Sequence, residues 1–141
     1  MHNYREFTIE RQDYFDTIKV RVYKTARSLR KACEEFTGIK GSHSETDGSF
    51  ASTVPNNPTN AEGKKDRFMF GIIMLCEQYM EMQIIVHECI HATFKHEKNI
   101  IGFRGNYSND EHEERFGYYY EWLLLEVLKT LKKAGYRVKV P

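Results

Sequence analysis

Apolar and polar side chains alternate along residues 7–11 (FTIER) and 18–23 (IKVRVY), the two-residue period of a strand with one buried face. From Thr25 the spacing changes. Ala26, Leu29, Cys33 and Phe36 recur at steps of three and four, which predicts a short amphipathic helix stopped by Gly38. Residues 38–66 are rich in Gly, Pro, Ser, Thr and Asn and predict a long loop or flap, with one short strand inside it at 49–54. The continuous apolar run 67–76 (RFMFGIIMLC) suits a buried strand. Residues 79–98 contain neither Pro nor Gly and predict a helix, followed by a second loop at 99–110 with Gly102 and Gly105. Phe116, Tyr120, Leu123, Leu124, Val127 and Leu131 then trace one face of a long helix that Gly135 ends, and 136–140 (YRVKV) predicts a last strand. Strands and helices mix along the chain without repeats, so the expected fold class is α+β, with residues 1–141 forming one domain.

Composition narrows the classes. A chain of 141 residues, 40% hydrophobic and 29% charged, can bury a core without disulfide or metal staples. Its net charge of +1 provides no global field toward nucleic acid or an anionic membrane. Arg21, Lys24, Arg27, Arg30 and Lys31 are close in sequence, but strand and helix geometry would scatter them, so nucleic-acid binding is not expected. Phe68–Cys76, the longest apolar run, is less than half of a membrane-spanning helix. The N-terminal residues have no apolar stretch behind their charges. Cys33, Cys76 and Cys89 are odd in number and lack close pairing, so reduced thiols and a cytoplasmic location are expected, and a zinc ribbon is not.

The candidate chemistry lies in the helix predicted at 79–98, as His87-Glu88-Cys89-Ile90-His91. Residues four apart share a helix face, so His87 and His91 can aim imidazole nitrogens at one metal ion. Glu88 borders that face and can reach a water on the ion without being a ligand. A catalytic zinc takes three protein ligands and leaves a fourth position to water, whose pKa falls to about 7. A carboxylate beside that water can take its proton and later pass it to a leaving amine. Cys89 lies on the far side of the helix from His87 and is expected to be buried as a small hydrophobe. His96 is five residues beyond His91 and is expected to be solvated.

A third ligand must come from elsewhere, and NDEHEERFGYYYEWLLLE, 109–126, offers Glu111, His112, Glu113 and Glu114. Asp110 and Glu113 also fit a capping box at the start of a helix. Glu114 lies one step deeper and begins the row Glu114, Gly117, Tyr118, Glu121, in which Gly117 suggests a close helix–helix approach. Tyr107, Tyr118 and Tyr119 are candidates to stabilise an oxyanion, although the tyrosine run also suits packing. Asn60–Arg67 reads as a solvated charged turn.

HECIH followed by NDEHEERFGYYYEWLL resembles the gluzincin branch of zinc metallopeptidases. More narrowly, VHECIHATF with EERFGYYYEWL is similar to small metallopeptidase-like proteins of phages and phage-derived islands, and more distantly to ImmA/IrrE-type peptidases. The resemblance spans about residues 67–126 and departs from the pattern at Glu113, Arg115 and Gly117. It implies a zincin-like domain with a small mixed sheet packed on the motif helix and the long C-terminal helix. It also implies one Zn2+ per chain held by His87, His91 and Glu114, Glu88 as the catalytic base, Tyr118 as a possible oxyanion stabiliser, and a peptide or protein substrate. Strand 67–76 is expected to border the cleft as a sheet edge to which a peptide can add, with loop 38–66 over it. Two rival readings keep the scaffold without the chemistry: a phage-derived metal-binding interaction module, and a metal-free scaffold in which the motif is packing. Glu88 favours the enzyme, because a binding site has no use for a general base.

Overall fold

The structure, a computed structural model, describes residues 3–11, 16–39, 41, 45–52, 68–100 and 110–141. Its strands are β1 (Tyr4–Arg11), β2 (Asp16–Tyr23), β3 (Ser49–Ser52) and β4 (Phe68–Cys76). Its α-helices are α1 (Ala26–Thr37), α2 (Met82–Lys95) and α3 (Asp110–Lys133). The fold is α+β. The strands form one mixed sheet in the order β1-β2-β4-β3, with β1 antiparallel to β2, β2 parallel to β4, and β3 antiparallel to β4.

The continuous apolar run of β4 has a simple cause: both of its faces are covered. Ile72, Met74 and Cys76 pack with Leu29, Ala32 and Cys33 of α1 on one side. Phe70, Ile73 and Leu75 pack with Ile85, Cys89 and Ala92 of α2 and Tyr119, Leu123 and Val127 of α3 on the other. Thr17 pairs with Met69 while Ile18 pairs with Gly71, so β4 carries one extra residue, Phe70, at that step. Such a bulge turns the side chain, and Phe70 joins the α2–α3 core.

The expectation that strand 67–76 forms the sheet edge is therefore corrected. β4 is central, between β2 and β3, and among the described strands the terminal one beside α2 is the four-residue β3. A strand buried on both faces lies inside a sheet, whereas the short, half-buried β3 suits its rim. The predicted strand at 136–140 is also corrected. Its contribution is one parallel bridge between Lys139 and Glu81, with Lys139 N–H donating to Met80 O and Met82 N–H donating to Lys139 O, both at 2.8 Å. The second bond satisfies an amide in the first turn of α2, where no intrahelical partner exists. The C-terminal segment thus fixes the start of the helix that carries the motif.

Two further elements set the position of β3. α1 begins at Thr25, whose side chain accepts from Ser28 N–H at 3.2 Å, and closes at Gly38 with φ 73°. From its buried side Arg30 reaches the segment entering β3, donating to Thr46 O at 2.8 Å and to Asp47 Oδ1 at 2.7 Å. The charged turn expected at 60–67 and Tyr107 lie outside the described residues, as does the stretch 53–66 of the predicted flap.

Candidate metal centre

α2 presents one stripe to solvent and buries another. Ile85, Cys89 and Ala92 point into the core, and His87 and His91 are exposed on the other side. Their spacing of one turn brings the two rings edge to face, with Nε2 of His87 and Nε2 of His91 3.0 Å apart. Glu88, only 6% exposed, turns inward beside them. The ligand atoms of His87, Glu88 and His91 all lie within 4.8 Å of one another.

The donor set fits a divalent ion of zinc type. Two nitrogens bound at about 2.05 Å to one tetrahedral ion lie roughly 3.3 Å apart, close to the observed 3.0 Å. The same spacing also allows an N–H···N bond between the rings. Imidazole donors suit zinc and the neighbouring first-row metals, so the pair fits an ion of this class.

Burial pushes the Glu88 carboxyl above its ordinary range, and the nearby His87 offsets only part of that rise. The carboxylate therefore has enhanced affinity for a proton, which suits a base. Gly48, at the entry to β3, allows the chain to pass close over Ile84, next to Glu88. A Cβ there would stand 2.5 Å from Ile84 Cγ2 and 3.4 Å from Glu88 Oε2. The glycine lets the strand entry close over the first turns of α2. With Ser49 and Phe50 it forms one wall of a cleft of ≈ 690 Å³ whose opposite wall carries His87 and His91. The described part of the predicted flap thus borders the motif.

Glu114 does not join this group. It is exposed and lines a separate cleft of ≈ 710 Å³ with Arg11, Glu111, Tyr118 and Glu121. The buried row of α3 runs through Tyr119, Leu123, Val127 and Leu131. At 100° per residue, Glu114, Gly117, Tyr118 and Glu121 fall on the side away from that row, and all four are exposed. Among the described residues nothing approaches Gly117, since a Cβ there would meet none of their atoms within 4 Å. Tyr118 is 65% exposed and lines this second cleft, not the one with His87 and His91. Glu111 and Glu113 are also exposed, and His112 is half-buried with Arg115 Nη2 3.1 Å from its Nδ1. Tyr119 is core, as the packing reading expected.

His96 is buried rather than solvated. It is 1% exposed, stacks on Tyr119 with ring centroids 3.7 Å apart, and meets Phe70 edge-on. Ile85, Cys89, Ala92 and His96 follow one another at steps of four, three and four, so the core row already reached His96. The wider π-type turn at His96–Ile100 continues α2 there and takes Glu97 inside with it. Glu97 accepts from Arg115 Nε at 2.9 Å, and His96 Nδ1 stands 3.7 Å from its other oxygen, too long for a hydrogen bond. Burial raises the Glu97 carboxyl, but His96 and Arg115 outweigh it and hold the group below the ordinary range.

All three cysteines are buried and unbridged. Burial, with a smaller effect from Glu88, pushes the Cys89 thiol up to about 12, which removes it as a nucleophile or ligand at neutral pH. No helix among the described residues is long and apolar enough to cross a membrane. Against protein-family models, curated proteins and solved structures, the chain has no match.

Proposed function

We propose that the protein is a zinc-dependent peptidase, with His87 and His91 holding the ion and Glu88 acting as base and then acid. The observation that supports it is the buried, proton-seeking carboxylate of Glu88 beside two exposed imidazoles that face each other at 3.0 Å. A bound zinc would supply a Lewis acid that polarises a carbonyl and acidifies a water. Glu88 would take the proton of the attacking water as its oxygen bonds to the peptide carbon. Glu88 would then deliver the proton to the nitrogen of the departing amine. β3, the terminal strand of the sheet among the described strands, offers backbone groups to a peptide lying extended along the cleft.

The resemblance assigns Glu114 as third protein ligand, but its exposed position outside the histidine group supports a two-histidine site with the remaining positions open to water and substrate. That same observation favours one second reading, a metal-binding interaction module without catalysis. The test is zinc content by elemental mass spectrometry together with cleavage of a mixed peptide library. About one zinc per chain and cleavage products that vanish in Glu88→Gln are the expected result. Zinc retention without any cleavage selects the interaction module, and no zinc uptake by a folded chain sinks both readings.

A further inference from the structure

Two lysines share the cleft with the histidine pair. His87, His91, Phe94, Lys95 and Lys98 follow one another at steps of four, three, one and three, so they form one stripe along α2 and the turn that continues it. All five line the same cleft. Among the described residues, the opposite wall, with Thr46, Ser49 and Ser52, carries no charge, and the one acid lining the cleft is the buried Glu88. Among the described residues neither lysine has a carboxylate partner. Cations near a helix C-terminus also offset its dipole. That effect explains lysines in the last turns but does not require both to face the cleft.

The resulting wall is one-sided: an apolar ring and two ammonium groups that no described carboxylate pairs, beside the candidate reaction centre. From His91 to Lys98 the helix rises roughly 10 Å, about three residues of an extended chain. We infer that the cleft takes an acidic peptide segment, whose Asp or Glu side chains two or three residues from the bond at the histidines pair with Lys95 and Lys98. The position of that bond rests on the peptidase reading; the charge of the segment rests on the lysines.

Three fluorescein-labelled octapeptides test it, identical except that two Glu residues of the first are Gln in the second and Lys in the third. Binding to zinc-loaded Glu88→Gln protein is followed by fluorescence anisotropy, without turnover. The Glu peptide is expected to bind roughly five- to tenfold tighter than the Gln peptide, as two partly exposed ion pairs allow. The preference should shrink at high salt. It should disappear in Lys95→Gln/Lys98→Gln and turn toward the Lys peptide in Lys95→Glu/Lys98→Glu. Equal binding of the three peptides, measurable or not, overturns the inference, as does an acidic preference that survives Lys95→Gln/Lys98→Gln. Cleavage of the same peptides by wild-type protein is read in parallel by mass spectrometry. Absence of cleavage counts against the peptidase reading alone, because the binding comparison still decides the charge of the segment.

Discussion

The dipeptide His-Glu occurs twice on one helical segment, at 87–88 and at 96–97, and the two copies have opposite fates. At 87–88 the histidine faces solvent and the glutamate turns inward beside Gly48. No guanidinium or ammonium group among the described residues is paired with it, and burial raises its pKa. At 96–97 both side chains are inside, the ring stacked on Tyr119 and the carboxylate held by Arg115. There the same residue type is driven the other way. A buried glutamate becomes a base or a structural anion according to whether a guanidinium reaches it. The histidines divide likewise. His87 stands exposed against His91, in a group that could hold a metal, whereas the face of His96 is spent on packing.

Exchanging the two glutamates for glutamine is the sharpest way to break this contrast. Glu88→Gln should keep the metal and lower peptide hydrolysis by roughly 10²- to 10⁴-fold, the usual contribution of a general base. Glu97→Gln should leave hydrolysis per folded molecule unchanged and cost about 2 kcal/mol in urea unfolding, because a buried charge-assisted bond to Arg115 is lost. A hydrolysis defect in Glu97→Gln equal to that of Glu88→Gln would erase the distinction. The Glu97 effect also has a pH signature. Its folded pKa is depressed, so the ionised carboxylate stabilises the fold above the ordinary glutamate value of about 4.3. That contribution should decline as the pH falls through the lower folded value, and the gap between wild type and Glu97→Gln should close there.

The histidines sharpen the comparison in the same manner. His87→Ala should reduce zinc from about one per chain to near none with little change in thermal stability, the loss being of a ligand alone. His96→Ala should retain zinc and lose about 2 kcal/mol, through a cavity against Tyr119 and Phe70. Gly48→Ala tests the wall behind Glu88. Ile84 is β-branched and stiff on a helix, so the added methyl should cost about 1 kcal/mol, with Ile84→Ala in the same chain restoring most of it. The smallest expected effect is that of Glu114→Ala. It should leave zinc content as in wild type, and a loss matching His87→Ala would show that α3 does complete the site.

Much of the fold was legible because its signals are local. Alternation marked β1 and β2, the apolar run marked β4, and Gly38 and Gly135 marked helix ends at φ 73° and 94°. The HECIH spacing alone was enough to bring His87, Glu88 and His91 together. Arg30 gave no signal at all: it stood among basic residues, and only the fold shows it bracing Thr46 and Asp47 at the cleft wall. His96 had a signal that was overlooked, the core spacing from Ile85 through Ala92. Glu114 illustrates a different limit of local signals. A motif resemblance states which residue types occur at which spacing, but the side of α3 that faces α2 depends on where Tyr119, Leu123 and Val127 find their core.

By itself, then, the sequence determined the α+β class, the helical pairing of His87 with His91, and the burial of Cys89, since each depends on a period of two or 3.6 residues within one element. The tertiary structure alone decided that β3 rather than β4 is the rim beside the motif. It also decided that Glu97 meets Arg115, and that the row beginning at Glu114 faces solvent. These outcomes depend on contacts between elements far apart in the chain, and the hydrophobic effect that sets them is non-directional. It selects the arrangement that buries the most apolar surface, and the polar side chains take the places that arrangement leaves.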